Sequence, residues 1–159
     1  MKINIYKFQK DLKIRFKKKS LLIQALTHKS VDQKNNNEKL EFLGDRVIGL
    51  VLSKKLFDLY PFENEGVLDK RLASLVNRKI CCDIGLSIDI HNYIKIGNKK
   101  TKVNKSDQKI ISDSCEALIG AIFIDQGFNY VEDFILRIWR KNINKSTITI
   151  LDSKTRLQE

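Results

Sequence analysis

Two groups of carboxylates interrupt otherwise apolar stretches of this chain. In the run Asn37-Glu38-Lys39-Leu40-Glu41-Phe42-Leu43-Gly44-Asp45-Arg46-Val47, the acids fall at positions i, i+3 and i+7. At about 3.6 residues per turn this spacing puts Glu38, Glu41 and Asp45 on one helical face, within an arc of about 60°. Asp113 and Glu116 repeat the i, i+3 spacing between Ile110-Ile111 and Ala117-Leu118-Ile119. A carboxylate on a core helix is costly unless something positive meets it. Two such helices side by side gather Glu41, Asp45, Asp113 and Glu116 around one point. A hard divalent cation, magnesium or manganese, suits that all-oxygen donor set. The alternative is a buried ion network in which the acids pair with Arg46, Arg71 or Lys39. A di-iron bundle fits less well, because it needs Glu-x-x-His pairs that this sequence lacks. Spacing points to a metal site and names no reaction.

The elements that must carry these acids read as helical almost throughout, so the fold class is all-α. Pro61 is the only proline, and the β-branched residues show no period-two alternation. Ser20 is a candidate N-cap for a helix over residues 21–27. Asn35-Asn36-Asn37 punctuates the chain before a long helix, Glu38–Leu59, which Tyr60-Pro61 ends. A second unit is expected over 67–78, and a short helix over 80–85 stopped by Gly85. Residues 95–107 form a lysine-rich connection with Gly97, Lys99, Lys100, Lys102 and Lys105, either a solvated loop or a phosphate contact. Residues 110–124 are apolar nearly all round and belong at the centre. Gly127 suits a left-handed stop, and residues 130–139 form a last amphipathic helix. Gly44, Gly49 and Gly120 would let the acid-bearing helices approach closely.

Composition narrows the function classes. At 159 residues and 42% hydrophobic, the chain is the size of one domain with a real core. A net charge of +11, from 30 basic and 19 acidic residues, favours polyanionic partners, although an AT-rich genome also produces Lys-rich composition. Cys81, Cys82 and Cys115 fit neither a disulfide framework nor a zinc site and read as buried thiols. With only His28 and His91, a histidine-rich metal site is excluded. No apolar run reaches bilayer length and no signal-type segment opens the chain, so a cytoplasmic protein with no membrane partner is expected.

The segment Asn37 to Val47 resembles the signature of the ribonuclease III family, whose core reads N-E-x-L-E-F-L-G-D. Leu26-Thr27-His28-Lys29-Ser30, Glu65-Gly66, and the run from Asp113 through Ala121 match in order, and the resemblance covers roughly residues 12–139. It implies the family's endonuclease-domain fold and a symmetric homodimer with double-stranded RNA in a valley across it. The implied reaction is phosphodiester hydrolysis by metal-activated water, leaving 5′-phosphate and 3′-hydroxyl ends with short overhangs, in the processing of rRNA and mRNA precursors. The cofactor would be Mg²⁺, with Mn²⁺ able to substitute, in a two-metal site about 3.5–4 Å across. By the same resemblance Glu41, Asp45, Asp113 and Glu116 are metal ligands, with Asp45 and Glu116 catalytic and Glu116 bridging. Phe42 would plug into the partner subunit, the alternative being an ordinary core phenylalanine. Glu38 and Glu65 match secondary acidic positions, and His28 reads as a structural histidine beside Ser30. Residues 1–145 would be the catalytic domain and 146–159 a linker with the start of a truncated double-stranded-RNA-binding domain.

Three rival readings stand beside this one. A binding protein that kept the fold and lost catalysis would lack a metal carboxylate, and all four are present. A short family form without an RNA-binding domain is disfavoured by the tail. A helical hydrolase of small phosphoesters would carry a histidine-aspartate pair, which is absent.

Overall fold

The computed structural model describes residues 3–97 and 102–146. Among the described residues, seven α-helices and one short 3-10 turn have both ends defined, and residues 140–146 are also helical. Among the described residues no strand forms; a single bridge joins Thr27 to Lys95. The all-α expectation holds.

Helix α6 (Gln108–Gln126) is the central post. Ile111, Cys115, Leu118, Ile119 and Ile122 are all at most 1% exposed, because this helix is apolar on nearly every side and its neighbours cover it. Helix α3 (Glu38–Leu59) packs along it more extensively than any other pair. Its bounds match the sequence reading, and Tyr60 ends it as the residue before Pro61 should.

The two helices touch backbone to backbone. A Cβ on Gly44 would lie 1.7 Å from the carbonyl oxygen of Glu116, and one on Gly120 would lie 2.2 Å from that of Leu40. Only glycine fits either position. Gly49, expected to do the same, has nothing within 4 Å of a built Cβ and takes no part in the approach.

The remaining elements wrap this pair. Helix α1 (Ile5–Leu12) was not foreseen; Asn4 caps it and Lys13, at φ 54°, ends it. Helix α2 (Lys19–Ala25) starts before Ser20, which therefore sits inside the helix and does not cap it. Its entry is fixed from a distance instead, by the Asp125 carboxylate accepting the Lys17 and Lys18 N–H groups. Helix α4 (Glu65–Val76) begins earlier than expected, capped by Asn64. Asn77 breaks the chain at ψ 163° and caps α5 (Arg78–Ser87), so Arg78 belongs to the next helix. Gly85 lies within α5 and does not stop it; it is a packing point, where a Cβ would meet Ile111 at 2.7 Å. Gly127 does end α6 with positive φ (86°), but its ψ of −179° is extended rather than left-handed helical. Helix α7 (Phe128–Ile138) follows, and Trp139 is fully buried with its ring N–H donating to the Leu75 carbonyl.

Candidate metal centre

The glycine contacts set the geometry of the acids. Gly44 rests on the backbone of Glu116 itself, so the closest approach of α3 and α6 falls one turn from Glu41. As a result, carboxylate oxygens of Glu41, Asp113 and Glu116 all lie within 4.8 Å of one another. Glu38, Asp45, Phe42, Arg46, Arg78, Lys109 and Ser112 complete the lining of a cavity of about 370 Å³. Asp45 lies at the rim, half exposed and paired with Arg46 at 2.9 Å. Glu38 is also at the rim and pairs with Lys29 at 3.3 Å. Glu65 opens α4 on the surface and is not among the lining residues; a carboxylate in a first turn is favoured there by the helix dipole alone.

Electrostatics separate the metal reading from the ion-network reading. Arg71 lies elsewhere: it is buried, held by both oxygens of Glu63 and stacked on Tyr60 at 3.6 Å. Lys109 meets Asp113 at 2.6 Å. Among the described residues no cation forms an ion pair with Glu41 or Glu116. Burial, then the charges of Asp45, Glu41 and Asp113, push the Glu116 carboxyl up to about 8, with Lys109 opposing. Burial and then Asp113 raise Glu41 in the same direction. Crowding in a partly desolvated site disfavours the ionised forms of Glu41 and Glu116, and a divalent cation would supply the positive charge that favours them.

The donor set fits a hard ion. Cys81 lies close enough to feel Glu116, but burial first and that carboxylate second push its thiol up to about 12. It stays protonated and outside the ligand set. All three cysteines are buried and free, as expected. His28 is structural: its Nδ1 accepts from the Ser30 N–H at 3.2 Å and lies 2.7 Å from the Ser30 hydroxyl. Burial lowers its pKa, with Lys29 adding to the effect.

Phe42 is 62% exposed at the edge of the cavity, with the Arg46 guanidinium 4.1 Å over its ring. It is not a core residue. Lys109, Arg78 and Ser112 at the site were not singled out from the sequence. Lys109 could have been, since it stands four residues before Asp113; Arg78 arrives from α5 through tertiary packing, which spacing does not encode. In the basic connection, Lys99 and Lys100 fall outside the described residues, and Lys102 and Lys105 are exposed. No helix among the described residues is long and apolar enough to cross a membrane.

Comparison with known proteins gives a consistent result. Residues 18–142 match the Ribonuclease-III-like family. The chain is 53% identical over 159 residues to Ribonuclease 3 of Pelagibacter ubique, covering 100% of this chain and 72% of that one. It is 42% identical to Ribonuclease 3 of Campylobacter jejuni subsp. doylei, covering 98% of this chain and 71% of that one. The crystal structure of the nuclease domain of ribonuclease III from Campylobacter jejuni superposes with a TM-score of 0.81 at 42% identity, over 89% of this chain and 97% of that one. A second structure of that domain, described as showing flexibility in a region involved in dimer formation, has a TM-score of 0.82 at 42% identity, over 87% of this chain and 98% of that one. Dicer from Pichia stipitis, at 23% identity and a TM-score of 0.68, shares the fold over 84% of this chain and 60% of that one.

Proposed function

The chain belongs to the ribonuclease III family, and from that premise we propose that it is a divalent-metal-dependent endoribonuclease that hydrolyses double-stranded RNA to 5′-phosphate and 3′-hydroxyl ends. The observation that carries the reading is the convergence of Glu41, Asp113 and Glu116 within 4.8 Å, beside the glycines where α3 and α6 touch backbone to backbone. Those three residues would hold the ion, with Asp45 beside them. When bound, Mg²⁺ (or Mn²⁺ in its place) supplies Lewis acidity to the phosphate and makes water a nucleophile near neutral pH.

The chain's own residues do the rest. Glu116 must give up a proton before it can act as a ligand, because its carboxyl is pushed up to about 8 in the bare site. By resemblance to the family, Asp45 and Glu116 would be the catalytic positions, and Glu116 is the more buried of the two. Arg46, Arg78 and Lys109 line the same cavity and give an RNA phosphate cationic partners at its rim.

The working unit is a homodimer. Phe42, Leu50 and Phe57 are 62%, 59% and 70% exposed on α3 and fall within about 80° of one another around its axis. A solvent-facing apolar stripe of that kind fits a partner subunit. Glu38 and Glu65 keep secondary roles. Residues 1–145 would be the catalytic unit and 146–159 a linker with the start of a double-stranded-RNA-binding domain; residues 1–2, 98–101 and 147–159 lie outside the described part of the chain. Precursors of rRNA and mRNA, met in the cytoplasm, are the proposed substrates.

Cleavage of a long RNA duplex at low salt with magnesium, comparing the chain with Glu116→Gln, tests this. Cutting by the parent alone, leaving 5′-phosphate ends, supports the enzyme and its key carboxylate together. Binding by both without cutting, even with manganese, would make the domain a binding module.

A further inference from the structure

Residues 12–17 alternate in burial with a period of two. Leu12, Ile14 and Phe16 are 7%, 6% and 4% exposed, whereas Lys13, Arg15 and Lys17 face solvent. Lys13 closes α1 in the left-handed conformation (φ 54°, ψ 40°) and residues 14–17 follow without regular structure, so three cations stand exposed while the apolar residues between them are buried.

The backbone beneath them is tied down along its whole length. The Ile14 N–H donates to the Gln9 carbonyl at 3.0 Å and the Phe16 N–H to the Gln9 side chain at 2.9 Å. The Arg15 N–H donates to the Tyr130 hydroxyl at 3.3 Å, and its carbonyl accepts from Gln126 at 2.7 Å. The Lys17 and Lys18 N–H groups donate to Asp125 at 2.8 and 2.9 Å, and the Leu12 carbonyl accepts from Arg137 at 2.7 Å. Three helices (α1, α6 and α7) thus hold this row in place, and little backbone freedom is left to lose when something binds it.

Two adjoining grooves widen the row into a face. One, about 730 Å³, adds Lys55, Arg137 and Arg140; the other, about 770 Å³, adds Lys19 and Tyr6, and Ile14 and Tyr130 line both. Asp133 lines the first groove as an acid, and Asp125 is already taken up by the backbone donors. None of these residues lines the acidic cavity. Lys55 is fourteen residues along α3 from Glu41, about 21 Å away.

We propose that this face binds the phosphate backbone of an RNA segment outside the groove that holds the acidic cluster, an inference that rests on the reading of the chain as an RNA-directed enzyme. A concentration of exposed cations on a fixed backbone, with Asp133 the one acid among the residues lining the two grooves, matches a polyanion better than the mixed charges of a protein surface. A bilayer fits less well, because Ile14, Phe16, Phe134 and Ile143 are all at most 6% exposed and offer nothing to insert. Each phosphate neutralised steepens the salt dependence of duplex binding by about 0.9 in log K against log salt.

The test is binding of a fluorescein-labelled RNA duplex in EDTA, where nothing is cut, across a KCl series. The full chain is compared with the triple variant Lys13→Gln/Arg15→Gln/Lys17→Gln. A second variant, Lys55→Gln/Arg140→Gln, leaves the tethered segment untouched and keeps the test valid should the triple variant misfold. Lys70→Gln/Lys79→Gln serves as a charge control on exposed positions of α4 and α5. The expected result is at least tenfold weaker binding by the triple variant at low salt, a slope shallower by about 2–3, a smaller change of the same kind for the second variant, and little change for the control. Unchanged affinity and slope in both row variants, in a parent that binds and cuts RNA, would overturn this face and leave the catalytic reading standing. An equal loss in the control would overturn it as mere net charge. A parent that neither binds nor cuts duplex RNA would overturn both readings.

Discussion

Glu116 and Lys109 carry the site's electrostatic tension between them. A Glu in an unfolded chain titrates near 4.3, whereas the folded site pushes Glu116 up to about 8 and raises Glu41 too. The folded state therefore holds the proton over that interval. Its contribution to stability is complete below about 4.3 and is lost as pH rises through about 8. In EDTA the melting temperature should fall from pH 5 to pH 8.5, and Glu116→Gln should flatten that fall and melt higher than the parent at pH 8.5. Parallel curves for the two proteins would place the titration elsewhere. Lys109 is the second residue of α6, where the helix dipole disfavours a cation, and it precedes its acid, the weaker order for an i, i+4 pair. Helix energetics do not explain its place; the acids do. It is a resident counter-ion that an incoming metal must displace. Two unit charges 4 Å apart interact by about 1 kcal/mol in water, so Lys109→Met should bind Mg²⁺ roughly fivefold more tightly in calorimetry without RNA. Weaker binding by the variant would show that the lysine supports the site instead of competing for it.

Helix α3 brings the argument to the scale of elements, because its two central glycines look alike in sequence and differ in the fold. Gly44→Ala would drive a methyl group into the Glu116 carbonyl. It should cost about 2–4 kcal/mol by forcing α3 from α6, and weaken metal binding with it. Gly49→Ala meets open space and should stabilise the protein by about 0.5–1 kcal/mol through helix propensity. Urea unfolding of both distinguishes them; an equal loss in the two would contradict the close approach. This pair also marks what was legible in the sequence. Periodicity gave the acid-bearing helices and their shared face, since burial of apolar stripes is a local pattern; Pro61 gave the end of α3. It missed α1, whose stripe of Ile5, Phe8 and Leu12 is sparse among lysines, and it misread Ser20 as a cap because the competing acceptor, Asp125, is more than a hundred residues away. Gly85 was read as a stop because the sequence does not show that Ile111 packs against it. That four acids share one cavity was legible from spacing; the split between the tight trio of Glu41, Asp113 and Glu116 and the rim position of Asp45 was not, because it depends on the angle at which two helices cross.

The whole molecule adds a division of labour to these local facts. The tight trio of acids comes from one chain, with Asp45 at its rim, so the partner subunit is not needed to build a cluster. What a partner would supply is a cover for the exposed stripe of Phe42, Leu50 and Phe57 and a second cluster placed for the opposite strand. Phe42 should therefore govern assembly more than chemistry. In a symmetric dimer each interface contains its phenylalanine twice. Truncating one well-packed phenylalanine costs about 3–5 kcal/mol, so Phe42→Ala should weaken the dimer by at least a hundredfold. Sedimentation at low micromolar concentration should show the parent as a dimer and the variant largely as a monomer, with Mg²⁺ binding per chain unchanged. On a long duplex the monomer should lose paired cuts faster than it loses single-strand nicks, because each cluster survives while their registration does not. If the variant sediments as a dimer, the stripe serves something else; if it loses Mg²⁺ binding along with assembly, the partner contributes to the metal site after all, and the claim that one chain completes a cluster fails.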